Sequence, residues 1–167
     1  MKRLLEIQDS DIGLVTKKGV KYYPRIAARA ILTKGNKIAL LHVTKHAYYK
    51  LPGGGVEEGE TVEQGLAREL MEETGCTFKI LNEIGEILEY RSQIKEVQTS
   101  YCYLAKVEKE GKPEFTQGEI GEGFELVWVT LDKAINLMQK SKPVKYNGKF
   151  IVVRDLRFLK EAQRILG

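Results

Sequence analysis

Cysteine and histidine are scarce in this chain of 167 residues, with two of each. Cys76 and Cys102 show no metal-ligand spacing, which excludes a disulfide scaffold or a zinc module and fits a reducing cytoplasm. His42 and His46 fall on a strand and the loop after it, so their spacing of four gives them no common face and no metal site. No apolar run approaches the roughly twenty residues needed to span a bilayer, and no secretory leader is read, so the expected compartment is the cytoplasm, with no membrane partner. Repeats and low-complexity tracts are also missing. The net charge of +4 suits an anionic small-molecule substrate and makes no case for nucleic acid.

A hydrophobic content of 43% with 30% charged residues is that of one globular domain. Against the weak overall charge stands one strong local imbalance. From Glu57 to Glu73 there are seven acidic residues (Glu57, Glu58, Glu60, Glu63, Glu69, Glu72, Glu73) and one basic residue, Arg68. Thr61 and Gln64 form a capping box and Gly75 a C-terminal cap, so a helix is predicted over 62–74, with Val62, Leu66 and Leu70 as its packing stripe. Glu69, Glu72 and Glu73 then share one face, where like charges repel. Two of them lie in the last turn, which the helix dipole makes unfavourable for anions. A bound cation would resolve both conflicts, and carboxylates without His or Cys suit Mg2+ or Mn2+. The alternative is a solvated acidic face. Immediately upstream, Pro52 keeps the chain extended into Gly53, Gly54 and Gly55, a turn able to approach a ligand closely.

Gly54, Glu60 and the run Arg68-Glu69-Leu70-Met71-Glu72-Glu73-Thr74-Gly75 stand at the spacing of the Nudix box, and Gly54 to Cys76 resembles that signature throughout. Cys76 replaces the usual aliphatic residue. The resemblance implies an α/β fold, an α/β/α sandwich with a mixed β-sheet, and hydrolysis of a pyrophosphate bond in a nucleoside diphosphate linked to another group. It implies Mg2+, with Mn2+ as substitute, held by Glu69, Glu72, Glu73 and the Gly53 carbonyl, and an Arg68 that steadies the carboxylates. A glutamate of the stretch 114–125 completes such sites, with Glu122 preferred over Glu119. Arg25 and Arg29 can face the nucleotide or be edge arginines. Tyr101 and Tyr103 can stack on a base or line a half-buried sheet face. Trp128 matches the family's recurrent tryptophan. Nucleoside triphosphates, oxidised purine forms included, are the leading substrates, and ADP-ribose or a nucleotide sugar is the rival. A non-catalytic nucleotide-binding module is the reading from another class, which the intact glutamates oppose.

The remaining elements are expected as follows: a loose hairpin or extension in 1–24, paired strands over 25–32 and 37–43, and a glycine-interrupted strand over 78–90. A strand over 97–107 with antiparallel neighbours, a loop over 113–125 and a strand over 126–130 come next. A helix spans 131–140 and a second, basic one 149–166. The basic residues of that last helix (Lys149, Arg154, Arg157, Lys160, Arg164) could serve RNA or a homodimer, or form a solvated face.

Overall fold

The computed structural model describes all of residues 1–167. In chain order it contains β1 (Arg3–Gln8), β2 (Tyr23–Lys34), β3 (Lys37–Val43), β4 (Tyr48–Lys50), β5 (Gly53–Gly55), α1 (Val62–Thr74), β6 (Thr77–Arg91), β7 (Glu96–Lys109), α2 (Gln117–Gly121), β8 (Phe124–Val129), α3 (Leu131–Lys140) and α4 (Tyr146–Leu166). The strands form one sheet in the order β1-β6-β7-β2-β3-β4, with β5 added to β2 and β8 to β3. The β1–β6 and β2–β7 pairs are parallel and the others antiparallel, so the sheet is mixed.

Both faces of the sheet are covered, which is why residues 27–32 of β2 are buried without a break. On one side Leu66 and Leu70 of α1 pack on Ala28, Ala30, Leu32 and Ala39. On the other, Phe150, Phe158 and Leu159 of α4 and Ala134 and Met138 of α3 pack on Ile31, Leu40 and Cys102. The architecture is the expected α/β/α sandwich. No helix is long and apolar enough to cross a membrane.

Several local expectations are corrected. The first 24 residues form no hairpin: β1 lies parallel to β6, a pairing that no nearby turn could announce. β2 and β3 pair only at Thr33–Ile38 and Lys34–Lys37, after which β2 joins β7 and β5 while β3 joins β8 and β4. β7 therefore has one parallel neighbour instead of two antiparallel ones. Gly85 does not interrupt β6. It bulges with φ 150°, and a Cβ there would strike the Leu4 side chain. The loop expected over 113–125 contains α2, capped by Thr116. The last helix starts at Tyr146, and its Arg154 is fully buried instead of solvent-facing. Arg157 and Arg164 share one partner, Glu161, whose single charge offsets only one of theirs.

Candidate active site

The helix α1 is specified by its ends. The Thr61 hydroxyl accepts the Gln64 N–H at 3.1 Å, the Gln64 side chain accepts the Thr61 N–H at 2.9 Å, and Gly75 closes the helix at φ 70°. Gly65 lies close against the chain that enters the helix. A Cβ there would press on Val56 and Glu60 of the loop that precedes the helix.

Arg68 organises that loop. Its Nε and Nη2 donate to the two Glu60 oxygens at 2.7 and 3.0 Å, Nη2 also to the Gly55 carbonyl at 2.9 Å, and Nη1 to Glu69 at 2.9 Å. The forked contact holds the Glu60 carboxyl down at about 2. A Cβ on Gly54 would overlap the Glu69 carboxylate, so glycine at that position lets the carboxylate lie on the backbone.

Glu73 is buried. Its Oε2 accepts the Gly53 N–H at 2.7 Å, and Oε1 stands 3.6 Å from Nζ of Lys50. Burial outweighs both contacts and pushes the carboxyl up to about 7. Glu72 is half-buried, makes no hydrogen bond through its carboxylate and lies 3.9 Å from Arg68. Burial and then Glu69 raise its pKa.

No group of three or more His, Cys, Asp and Glu side chains stands at metal-holding distances. The counter-charge that sequence suggests for a cation is supplied in part by Arg68 at Glu69 and by Lys50 at Glu73. In kind the donor set fits a hard divalent ion, because it is acidic, all-oxygen and laid on a glycine backbone.

A cavity of about 510 Å³ opens beside Lys50, walled by His46, Tyr48, Glu122, Phe124 and the first turn of α4 with Tyr146 and Asn147. Glu122 faces it, 3.9 Å from Nε2 of His46. Glu119 instead caps α2 by accepting the Thr116 N–H at 2.9 Å. The stretch carrying Glu122 is latched to the turn after β3, where the Gly123 carbonyl accepts the Thr44 hydroxyl at 2.7 Å.

The arginine and tyrosine expectations divide. Arg29 is buried and donates to the Gly53 carbonyl, the group expected in a metal shell, and burial with the nearby Arg154 lowers its pKa to about 10. It therefore lies under Gly53–Gly55, which forms the strand β5 along β2 where the sequence suggested a turn, and does not line the cavity. Arg25 is exposed, bonds Gln98 and lies against Gly55. Tyr103 packs in the α1-side cluster, and Tyr101, two residues before it on β7, shares that face, away from the cavity. Lys50 escaped sequence reasoning altogether. The available signal was its alternation with buried Tyr48 just ahead of the glycine turn.

Residues 23–150 match the family model described as the NUDIX domain. The chain belongs to the Nudix hydrolase family. Among curated proteins it is 38% identical over 80 residues to an ADP-ribose pyrophosphatase of Methanocaldococcus jannaschii, a match covering 43% of this chain and 47% of the relative, so the chain spans about half of that protein. It is 34% identical over 113 residues to an 8-oxo-dGTP diphosphatase of Escherichia coli, covering 65% of this chain and 84% of the relative. Among solved structures, a NUDIX hydrolase from Nitrosomonas europaea superposes with a TM-score of 0.65 at 15% identity, covering 85% of this chain and 90% of that one, a likeness of fold. α1 is thus the Nudix helix, and most of α4 lies beyond the matched span.

One pH effect follows from Glu73. Its folded pKa of about 7 exceeds the unfolded 4.5, so its contribution to stability is complete below pH 4.5 and is lost as pH rises through about 7. The metal-free protein is expected to lose up to about 3 kcal/mol from this group between pH 5 and 8. Thermal unfolding across that range measures it, and Glu73→Gln should flatten the slope.

Proposed function

We propose that the chain is a divalent-ion-dependent pyrophosphohydrolase acting on nucleoside diphosphates linked to a further group, nucleoside triphosphates first. The observation that carries this reading is the meeting of three elements. Glu69, Glu72 and Glu73 share one face of the Nudix helix. The glycine strand β5 lies against Glu69 and Glu73, and Lys50 joins Glu73 to the cavity that Glu122 faces.

Bound to Glu69, Glu72 and Glu73, Mg2+ or Mn2+ would neutralise phosphate charge and acidify a water. The chain supplies the positioning, which carries most of a phosphoryl transfer. Arg68 keeps Glu69 and the Glu60 loop in register. Glu122, the carboxylate at the cavity, takes the proton of the attacking water. Lys50 presents positive charge to the phosphates. A cavity of about 510 Å³ suits a nucleotide-sized ligand.

The more extensive coverage of the 8-oxo-dGTP diphosphatase, 84% of its length, favours triphosphates, oxidised purines included. ADP-ribose is the second reading, favoured by the 38% identity to the archaeal enzyme. A panel of NTPs, oxidised purine NTPs, ADP-ribose and nucleotide sugars, with Mg2+ or Mn2+ and product identification, decides. Mononucleotide plus pyrophosphate is expected. AMP plus ribose 5-phosphate would shift the assignment to ADP-ribose, and binding of nucleotide without turnover would overturn catalysis.

A further inference from the structure

We propose that Asp155, on the part of α4 beyond the matched Nudix span, is a positioning residue for the segment that leads into the glycine strand β5 of the active site. The inference rests on the functional reading above. Four backbone groups of residues 51–53 are held from three directions. The Leu51 N–H donates to Oδ2 of Asp155 at 2.8 Å, the Pro52 carbonyl accepts the Ala30 N–H at 3.1 Å, the Gly53 N–H donates to Glu73 at 2.7 Å, and the Gly53 carbonyl accepts Arg29. Three of these holds come from elements inside the matched span. The fourth crosses from α4.

Asp155 is itself fixed by an ion cluster at the centre of the molecule. Its Oδ1 accepts Arg154 Nε at 2.7 Å, and Arg154 Nη1 stands 3.5 Å from Oε2 of Glu89. Glu89 accepts the Ser100 hydroxyl at 2.7 Å, Gln98 Nε2 at 2.8 Å and Arg91 Nη2 at 2.7 Å. Asp155, Arg154 and Glu89 are wholly buried, and Nη1 and Nη2 of Arg154 have no hydrogen-bond partner. Packing alone would favour apolar side chains here, because buried charges with unmet donors are costly. What the cluster accomplishes is to keep a charged acceptor under the Leu51 amide, two residues ahead of Gly53, whose N–H meets Glu73.

The test compares Asp155→Ala, Asp155→Asn and Leu159→Ala in the full chain, at a temperature where all three are folded. Leu159 lies one turn further along α4 in the apolar core and has no polar side-chain group to share in this cluster. Asp155→Ala is expected to lower kcat by about 10–100-fold with the nucleotide KM within about twofold of wild type, the size seen when an orienting partner is removed. Asp155→Asn, which retains an acceptor for the Leu51 N–H, should recover most of kcat. Leu159→Ala should lower the melting temperature without lowering kcat. A kcat unchanged in Asp155→Ala, or lowered equally in Leu159→Ala, overturns the proposal. Amide exchange gives a readout independent of turnover. A selective rise at Leu51 and Gly53 in Asp155→Ala supports the positioning role even where the wild type turns over no tested nucleotide, and unchanged exchange there overturns it.

Discussion

Replacing Glu73 with Gln is expected to lower kcat by about 10²–10³-fold while the circular dichroism spectrum stays that of the wild type. The substitution is nearly isosteric, and the amide oxygen can still accept the Gly53 N–H that Glu73 now accepts at 2.7 Å. It removes the charge that a divalent ion would need and that balances Lys50, 3.6 Å away. Because burial pushes the Glu73 carboxyl up to about 7, wild-type turnover should climb as pH rises through that region, with divalent ion drawing the midpoint lower by favouring the ionised form. In the Gln variant this limb should vanish. A residual rate measured against pH at fixed Mg2+ checks both statements, and a variant with the wild-type rate and profile would remove Glu73 from the site.

The second large effect concerns stability. Arg154→Met is expected to cost about 3–5 kcal/mol, because it leaves Glu89 and Asp155 buried without their shared guanidinium. For a chain of this size that corresponds to a melting temperature lower by about 6–20 °C at pH 7. Burial alone would raise the pKa of Glu89, yet Arg154 and Arg91 hold it down at about 2. The stability this gives is present above pH 4.5 and lost as pH falls toward 2. The difference between wild type and variant should therefore narrow in acid. A difference that is constant from pH 7 to pH 3, read by thermal unfolding, would show that the pairing contributes little.

What could be read in the sequence was local. α1 and α3 came out residue for residue because Thr61, Gly75 and Thr130 mark their ends and apolar residues recur at helical spacing. The Glu69, Glu72, Glu73 and Arg68 arrangement was legible for the same reason, since all four lie within six consecutive residues. The helix α2 had a readable capping box in Thr116 and Glu119, obscured by the glycines around it. α4 begins at Tyr146 behind Lys145, which offers no side-chain cap, and carries Gly148 in its first turn, so its start left little trace.

Long-range features were not legible. The parallel pairing of β1 with β6 joins distant residues such as Arg3 and Glu86, and the choice of β7 over β3 along most of β2 joins others such as Arg25 and Gln98. Arg29 read as a nucleotide-facing or edge residue, and only the fold shows it turned under Gly53. Lys50 reaches Glu73 from β4 and Asp155 reaches Leu51 from α4: the alternation with Tyr48 was the one local sign of Lys50, and nothing beside Asp155 marks it. The fold places Glu122 and Glu119 differently, Glu122 facing the cavity and Glu119 capping α2 near enough to Glu72 to raise its pKa.

Release of mononucleotide from a nucleoside triphosphate, followed during a Mg2+ titration of the wild type and of Glu73→Gln, tests the central claim most directly. The account predicts no release without divalent ion, saturable release with it, and a variant that needs far more Mg2+ and reaches only a small fraction of the rate. Metal-independent release, or identical titrations for the two proteins, would contradict it.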